Sequence, residues 1–455
     1  MNCERLQAFR QEAYQLLTKA KDATFELMDA VMTTRHASSL AEFSLSPLFR
    51  RQHSSTYEAI EDSRPQRNGL SKLYIKQISK AKYSVFVIDH TGWGRIDAKT
   101  LKDRTYQYQK QSTVVAGQGY STIAWIPEGE GNWALPIRHE RITSWESPIS
   151  KAVWQIKQLV KYLPQRALVL LDREYGNAKW VLATSELEIE CVMRIRSNTC
   201  LWTAPPAYSG RGCPRKHGQK FQLKDPYSWT IPERVLELSE SICGSVRVTM
   251  WQGLHFYPAP KHPVNLILVE RLNPTGNGRL MPPLWLVWTG EHTLSLEQIW
   301  HQYLRRFGIE HWYRFAKQRL HWIMPSFSTP EQSARWSDLM PLMTWQLWLS
   351  KDLVREFRLP WQSAKSKLSP GRVAHWAGNP SSNLCFHFCS LLALQLIHPK
   401  VAENPSVGPL GLNVLLEFVI QLRRRVFLDR NLSPKLASYV IFSLFTSLLG
   451  TYFCT

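Results

Sequence analysis

The sequence predicts a mixed α/β protein, a sheet flanked by helices, interrupted by a β-rich insertion and preceded by a helical N-terminal region. Three observations predict it. Apolar residues recur at three and four spacings near the N-terminus and again after about residue 290. Between 81 and 197, short β-branched and aromatic runs alternate with amphipathic stretches, the pattern of strands covered by helices. Between 198 and 290 the apolar runs are strand-like and separated by turns.

Taken in order, Glu4 to Met32 reads as a helical pair, with Leu6, Phe9, Tyr14, Leu17, Phe25, Leu27 and Val31 on the helical period and no Gly or Pro. The stretch SPLFRRQHSSTYEAIEDSRPQRNGL reads as a short helix ending in a turn. Residues 1–80 form a basic helical region suited to DNA. YSVFVIDHTGWGR is an apolar strand ending at Asp89, and QKQSTVVAGQGYSTIAWIPEG reads as two strands around a glycine turn. Ser147-Pro148 stands at N-cap and N1 of an amphipathic helix. RALVLLDREYGN is a second buried strand ending in Asp172, followed by a helix from about Ala178 to Leu187 and the strand CVMRIRS. In the 198–290 insertion a basic loop carries Arg211, Arg215, Lys216, Lys220 and Lys224, either touching DNA or merely solvated. Three strands follow it: SVRVTMWQGLHFYP, VNLILVERLN and LWLVWTG. Residues 291–358 return to helix, over Ser295 to about Trp322 and Pro330 to about Phe357. Residues 359–455 make an atypical tail.

The 455 residues leave room for two or three domains, and 44% hydrophobic residues make a folded core rather than a disordered chain. A net charge of +20 favours a polyanionic partner, nucleic acid or an anionic surface. Eight cysteines in a chain this long are no disulfide scaffold, and a start as charged as MNCERLQAFRQEAY is no leader peptide, which predicts reduced thiols in a cytoplasm. Cys385, His387 and Cys389, and the looser Cys200, Cys213 and His217, lack the paired spacing of a zinc site and read as ordinary thiols.

Three carboxylates carry the chemistry. An aspartate at the end of a buried strand faces the crevice where α/β sheets bind ligands. Alone, such an aspartate is usually a turn former or a helix cap. Here two of them, Asp89 and Asp172, precede Glu310, which stands among Arg305, Arg306, Arg314, Lys317 and Arg319. Three carboxylates are the hard oxygen donors that hold divalent cations beside phosphate oxygens. On one continuous helix, Arg306, Glu310 and Lys317 fall at roughly 300°, 340° and 320° from Tyr303, within an arc of about 60°. Leu304, Trp312 and Phe315 fall on the other side.

Tyr303-x2-Arg306-x3-Glu310-x6-Lys317 resembles the YREK signature of bacterial insertion-sequence transposases of the DDE class. VIDHTGW and LLDREYGN resemble the segments that hold that family's two aspartates, and the long gap before the glutamate matches its β-rich insertion. The likeness spans roughly Lys82 to Phe357. It implies a ribonuclease-H-like core in which Asp89, Asp172 and Glu310 are catalytic and bind metal, two Mg²⁺ ions or Mn²⁺ in their place. It implies metal-dependent cleavage at element ends and transfer of the freed 3′-hydroxyl into target DNA. The implied partners are double-stranded DNA, as terminal inverted repeats and target, and a second copy of the chain in a synaptic homodimer, with no small-molecule substrate. Arg306, Lys317 and Tyr303 would hold phosphates. Arg173 would hold a phosphate or make a surface ion pair. Trp288 or Trp285 would stack on a flipped base or simply pack in the core, the second being favoured.

Leu436 to Cys454 is 19 residues without an acidic or basic side chain, long enough to span a bilayer. Serine, threonine and glycine dilute it, and a DNA enzyme has no use for an anchor, so membrane attachment is not expected. The tail reads instead as an aberrant end, which raises a second functional reading: a defective or repurposed copy that binds element ends without moving them. The expected location is the bacterial cytoplasm, at the nucleoid.

Overall fold

Five consecutive buried residues, Ser84 to Ile88, begin the strand around which the protein is organised. The computed structural model describes residues 2–79, 83–108, 113–129, 133–240, 244–273, 282–290, 294–353 and 368–377. The apolar tail, and with it Cys385, His387 and Cys389, lies outside them. No described helix is long and apolar enough to cross a membrane.

The first strand, β1 (Ser84–Gly94), is followed by β2 (Thr105–Tyr108), β3 (Val114–Trp125) and β4 (Leu135–Ile142). Then come β5 (Ala167–Leu171) and β6 (Ile189–Arg194), each preceded by a helix, α5 (Pro148–Leu159) and α6 (Ala178–Thr184). Ser147 caps α5 through a reciprocal bond with Ser150, with Pro148 in the first turn, as the sequence predicts. Strands β1, β5 and β6 run parallel; β3 lies antiparallel against the other side of β1 and carries β2 and β4.

The β-rich segment is present, and it continues the main sheet. Two short strands, β7 (Cys200–Trp202) and β8 (Lys220–Gln222), form a separate ribbon flanking the basic loop. The remaining strands, β9 (Arg234–Glu240), β10 (Gly244–Leu254), β11 (Val264–Arg271) and β12 (Leu284–Trp288), form an antiparallel meander whose last strand pairs with β6. The result is a ten-stranded mixed sheet.

Two expectations about these strands need correction. β1 does not stop at Asp89. Its parallel neighbour β5 ends there, while β3 keeps pairing as far as Gly94↔Gly117. Nor is the glycine-rich stretch before Trp125 a turn. It lies inside β3, and a Cβ on Gly117 would sit 2.2 Å from the carbonyl oxygen of Trp93, so the glycine permits close approach of two strands.

Helices cover the sheet. The N-terminal pair is α1 (Asn2–Leu16) and α2 (Lys21–Thr33), followed by a 3-10 turn, Leu40–Leu45. The single short helix expected next is two, α3 (Ser54–Asp62) and α4 (Arg67–Lys76). After β12 come α7 (Leu296–Leu304), α8 (Gly308–Gln318), α9 (Pro330–Leu349) and α10 (Pro370–Ala377). Of these α9 is the most buried, and it packs on β4 and on the N-terminal helices. Trp345 lies flat against Tyr74 of α4 and Trp125 of β3, with ring centroids 5.8 and 6.1 Å apart.

Two ion pairs fix this packing. Arg67 binds Asp338 of α9 at 2.8 Å. Arg10 of α1 makes two 3.0 Å bonds to Asp29 of α2 and a third contact to Gln346 of α9, with Arg10 and Asp29 both buried. Removing one partner of a buried pair strands the other charge. Arg10→Ala is therefore expected to lower the unfolding free energy by about 3–5 kcal/mol. Urea denaturation checks this, and a loss under about 1 kcal/mol would show that Asp29 is solvated or neutral without its partner.

Candidate active site

Sheet register places the two aspartates. In the parallel pairing of β1 with β5, Ser84 lies opposite Ala167 and Ile88 opposite Leu171. The next residue on each strand is Asp89 and Asp172, so the same offset brings the carboxylates abreast at the end of the pairing. Beyond Leu171 the chain turns at once, with the Tyr175 amide donating to the Asp172 carbonyl at 3.0 Å. Gly176 follows where a Cβ would lie 1.9 Å from the Arg194 carbonyl oxygen of β6, and Asn177 caps α6. The whole of LLDREYGN is thereby accounted for: strand end, carboxylate, turn, close approach and cap.

The glutamate arrives from the other side, on a helix that is not continuous. α7 ends at Leu304, a 3-10 turn covers Arg305–Phe307, and α8 begins at Gly308. A single wheel through Tyr303 and Lys317 is therefore not realised. Two contacts hold the tighter turn. Arg305 donates to the carbonyls of Ile126 and Pro127 at 3.1 and 2.9 Å, and Gly308 sits where a Cβ would come within 3.2 Å of Trp133 backbone. Glycine inside a helical run also weakens it.

Arg306 is the centre of the arrangement. It is 4% exposed, and its Nη2 donates to Glu310 Oε1 at 3.1 Å while Nη1 lies 3.7 Å from Asp89 Oδ2. Burial works against its charge, but Tyr303, Asp172, Asp89 and Glu310 together outweigh burial and hold the guanidinium above its ordinary pKa. The hydroxyl of Tyr303, on α7 and 3% exposed, is pushed up to about 12, chiefly by burial. The structure thus brings Asp89, Asp172, Glu310, Tyr303 and Arg306 together.

Burial raises the Asp89 carboxyl to about 6; His90, Arg306 and the His90 amide oppose the rise, and Asp172 adds to it. The His90 amide donates to Asp89 Oδ1 at 2.8 Å, and the His90 ring meets the Tyr175 hydroxyl at 3.2 Å. Opposite Asp89 on β3 stands Thr122, whose hydroxyl accepts from Tyr313 at 2.9 Å and lies 2.8 Å from His139 Nδ1. His139 is buried among Trp312, Tyr120 and Trp322, and burial, with Lys317 adding, lowers its pKa to about 3, so it is neutral. Sequence reasoning missed Tyr313, although it stands three residues after Glu310 and so on the same face. Thr122 and His139 carry no signal without the strand pairing.

The residues fit a hard divalent cation. Asp172 Oδ1 is buried and has no hydrogen-bond partner, an unsatisfied anionic oxygen of the kind a cation satisfies. Asp89 stands beside it, and Glu310, about half exposed, is held by Arg306. Among the described residues no three acidic, histidine or cysteine groups are close enough to hold an ion as they stand. Arg306 supplies the local positive charge in this arrangement.

Other expected residues sit differently. Lys317 donates to the Thr91 hydroxyl at 2.7 Å and the Gly92 carbonyl at 3.2 Å, tying α8 to β1 beside Asp89. Arg173 is exposed next to Asp172. Trp288 does not offer a ring to DNA. It is 1% exposed in the middle of the sheet and donates to Glu190 at 3.2 Å, and Trp285 is equally enclosed, among Trp229 and Trp251. Both are core residues, because β12 lies inside the sheet between β6 and β11.

No curated protein matches the chain. The family model described as DDE superfamily endonuclease matches residues 12–241, which takes in both aspartates and ends short of Glu310. With two aspartates set abreast by parallel strands, an arginine-held glutamate beside them, and more than half of its length matched, the chain belongs to the DDE superfamily endonucleases.

Proposed function

We propose that the chain is the transposase of a bacterial insertion sequence, cutting DNA at the element's ends and joining the freed 3′-hydroxyl to target DNA. The observation that carries this reading is the shared register of Asp89 and Asp172, with Glu310 linked to Asp89 through Arg306. Asp89, Asp172 and Glu310 would hold Mg²⁺, two ions or Mn²⁺ in their place, which supply activation of the attacking oxygen and charge stabilisation at phosphorus. The protein's own residues do the rest. Arg306 bridges Asp89 and Glu310 and offers a cation to the scissile phosphate once Glu310 turns to metal. Tyr303 orients Arg306 from below. Lys317 holds α8, and therefore Glu310, against the strand bearing Asp89. Arg173 reaches a neighbouring phosphate, a contact that positions DNA without reading its sequence.

The helices of residues 1–80 would add DNA contacts, and two copies of the chain would synapse the two ends at the nucleoid. The test is purified protein with its element's terminal inverted repeats, Mg²⁺ and a target plasmid, beside Glu310→Ala. Joined products from the wild type and none from the variant, at equal DNA binding, are expected. Nicked but unjoined DNA would reduce the activity to that of a nuclease. Binding without cleavage by both would make the chain an end-binding copy that no longer transposes.

A further inference from the structure

A second group of arginines lies outside the carboxylate site. A cavity of about 940 Å³ opens where the end of α2, the α8 helix and α10 meet. Arg35, Arg314 and Arg319 line it with four histidines, and among the described residues that line it there is no aspartate or glutamate. The arginines whose contacts are resolved reach only carbonyls. Arg35 donates to the His375 carbonyl at 3.4 Å. Arg319 donates to Val31, Met32 and Thr34 at the end of α2 and to Ala374 of α10, at 2.7–3.3 Å. It therefore satisfies the orphan carbonyls of a helix end and fixes two walls of the cavity with one side chain.

Arg35 and Arg319 also oppose one another. Burial, with Arg35 adding to it, lowers Arg319 to about 10. His375 is lowered by burial and then by Arg35 and Arg319. A preformed pocket lined by three arginines, with no acidic side chain among its described lining residues, is built for an anion. Its floor is aromatic: Trp133 and Phe315 meet edge to face at 5.3 Å, with Gly371 packed over them. Arginines beside aromatic residues are the composition of a groove that follows a nucleic-acid strand.

Its position names the strand. Arg314 stands one turn beyond Glu310, so about 40° around α8 and about 6 Å along it. Gln318 and His311, which also line the cavity, are about 80° and 100° away from Glu310. A backbone leaving the carboxylates crosses Arg314 and enters the cavity.

We propose that this cavity is a second phosphate-binding site, which takes the sugar–phosphate backbone of the DNA strand flanking the cut. It rests on the reading of DNA as the substrate, and the strand enters over Arg314 and Arg35 while Arg319 keeps the walls in place.

The experiment is fluorescence anisotropy of the full chain with labelled duplex and single-stranded DNA in EDTA, where no cleavage is needed, over a range of salt. The double variant Arg35→Ala/Arg314→Ala removes two exposed cations and leaves Arg319 in place. Affinity at low salt is expected to fall about tenfold or more, and the salt slope to lessen by about 1.8, two phosphates' worth. Arg314→Gln alone should give about half that change in slope, and serves if the double variant melts early. The equal charge loss Lys157→Ala/Lys161→Ala, at the end of α5 and in the 3-10 turn after it, should cost less. Wild-type affinity and slope in the double variant, or equal losses in both double variants, would overturn the site while leaving the cleavage reading to its own test. Failure of the wild type to bind DNA at all would overturn both.

Discussion

Asp89→Asn is expected to lower DNA cleavage by at least about 10³ and, in the same protein, to raise the stability of the metal-free fold. The loss follows from removing a metal-binding anion whose contribution to the transition state is several kcal/mol, at about 1.36 kcal/mol per factor of ten. The gain follows from burial. A carboxyl raised from 3.8 to about 6 by burial prefers to keep its proton in the folded state. Between about pH 4 and 6 the unfolded chain has already released that proton, so wild-type stability falls as pH rises through this window. Above pH 6 the cost is complete and constant. Asparagine keeps the oxygen that accepts from the His90 amide and carries no charge. The variant should therefore be more stable by about 3 kcal/mol at neutral pH and equal to the wild type below about pH 4. Urea denaturation in EDTA at both pH values, beside a nicking assay, checks the two halves. Equal stability at neutral pH would mean that Arg306 already neutralises Asp89 in full.

Arg306→Ala carries the second large effect. The wild type places this guanidinium among Asp89, Asp172 and Glu310. Without it Asp89 and Asp172 lose the cation that faces them and Glu310 loses its ion pair, and stability in EDTA should fall by about 3–5 kcal/mol. A divalent cation can take over the lost charge. The variant should gain more from Mn²⁺ or Mg²⁺ than the wild type does, by about 1.4 kcal/mol for each tenfold difference in affinity. Cleavage should stay impaired even with metal bound, because the contact to the scissile phosphate is gone. Thermal melts with and without metal measure this. A variant that gains no more than the wild type would show that the carboxylates do not converge on one ion.

How much of this was legible depends on whether a feature is local. The strand end at Asp172, the apolar run leading to Asp89, the cap at Ser147 and the helical glutamate are set by residues within a few positions, and the sequence shows them. Their convergence was legible only through resemblance, because register is a property of two strands. Trp288 illustrates the opposite case. Its burial depends on β12 pairing with β6, about ninety residues earlier, and nothing local distinguishes a core tryptophan from an exposed one. The break at Arg305–Phe307 had a local sign in Gly308, but the bonds from Arg305 to Ile126 and Pro127 that fix it are long-range. The basic cavity needs segments near residues 35, 314 and 375, so its arginines looked like scattered surface charge.

The common offset of β1 and β5 has a consequence for insertions and deletions. The chain between the two aspartates includes loops and α5, none of which sets their alignment. Residues added to a loop there lengthen the sequence gap and leave both carboxylates in place. A single deletion inside β1 ahead of Asp89 does the reverse. It moves the carboxylate one position along the strand, and because side chains alternate, turns it to the opposite face of the sheet. Within this architecture the number of residues separating the aspartates is free to drift, and the strand phase is not.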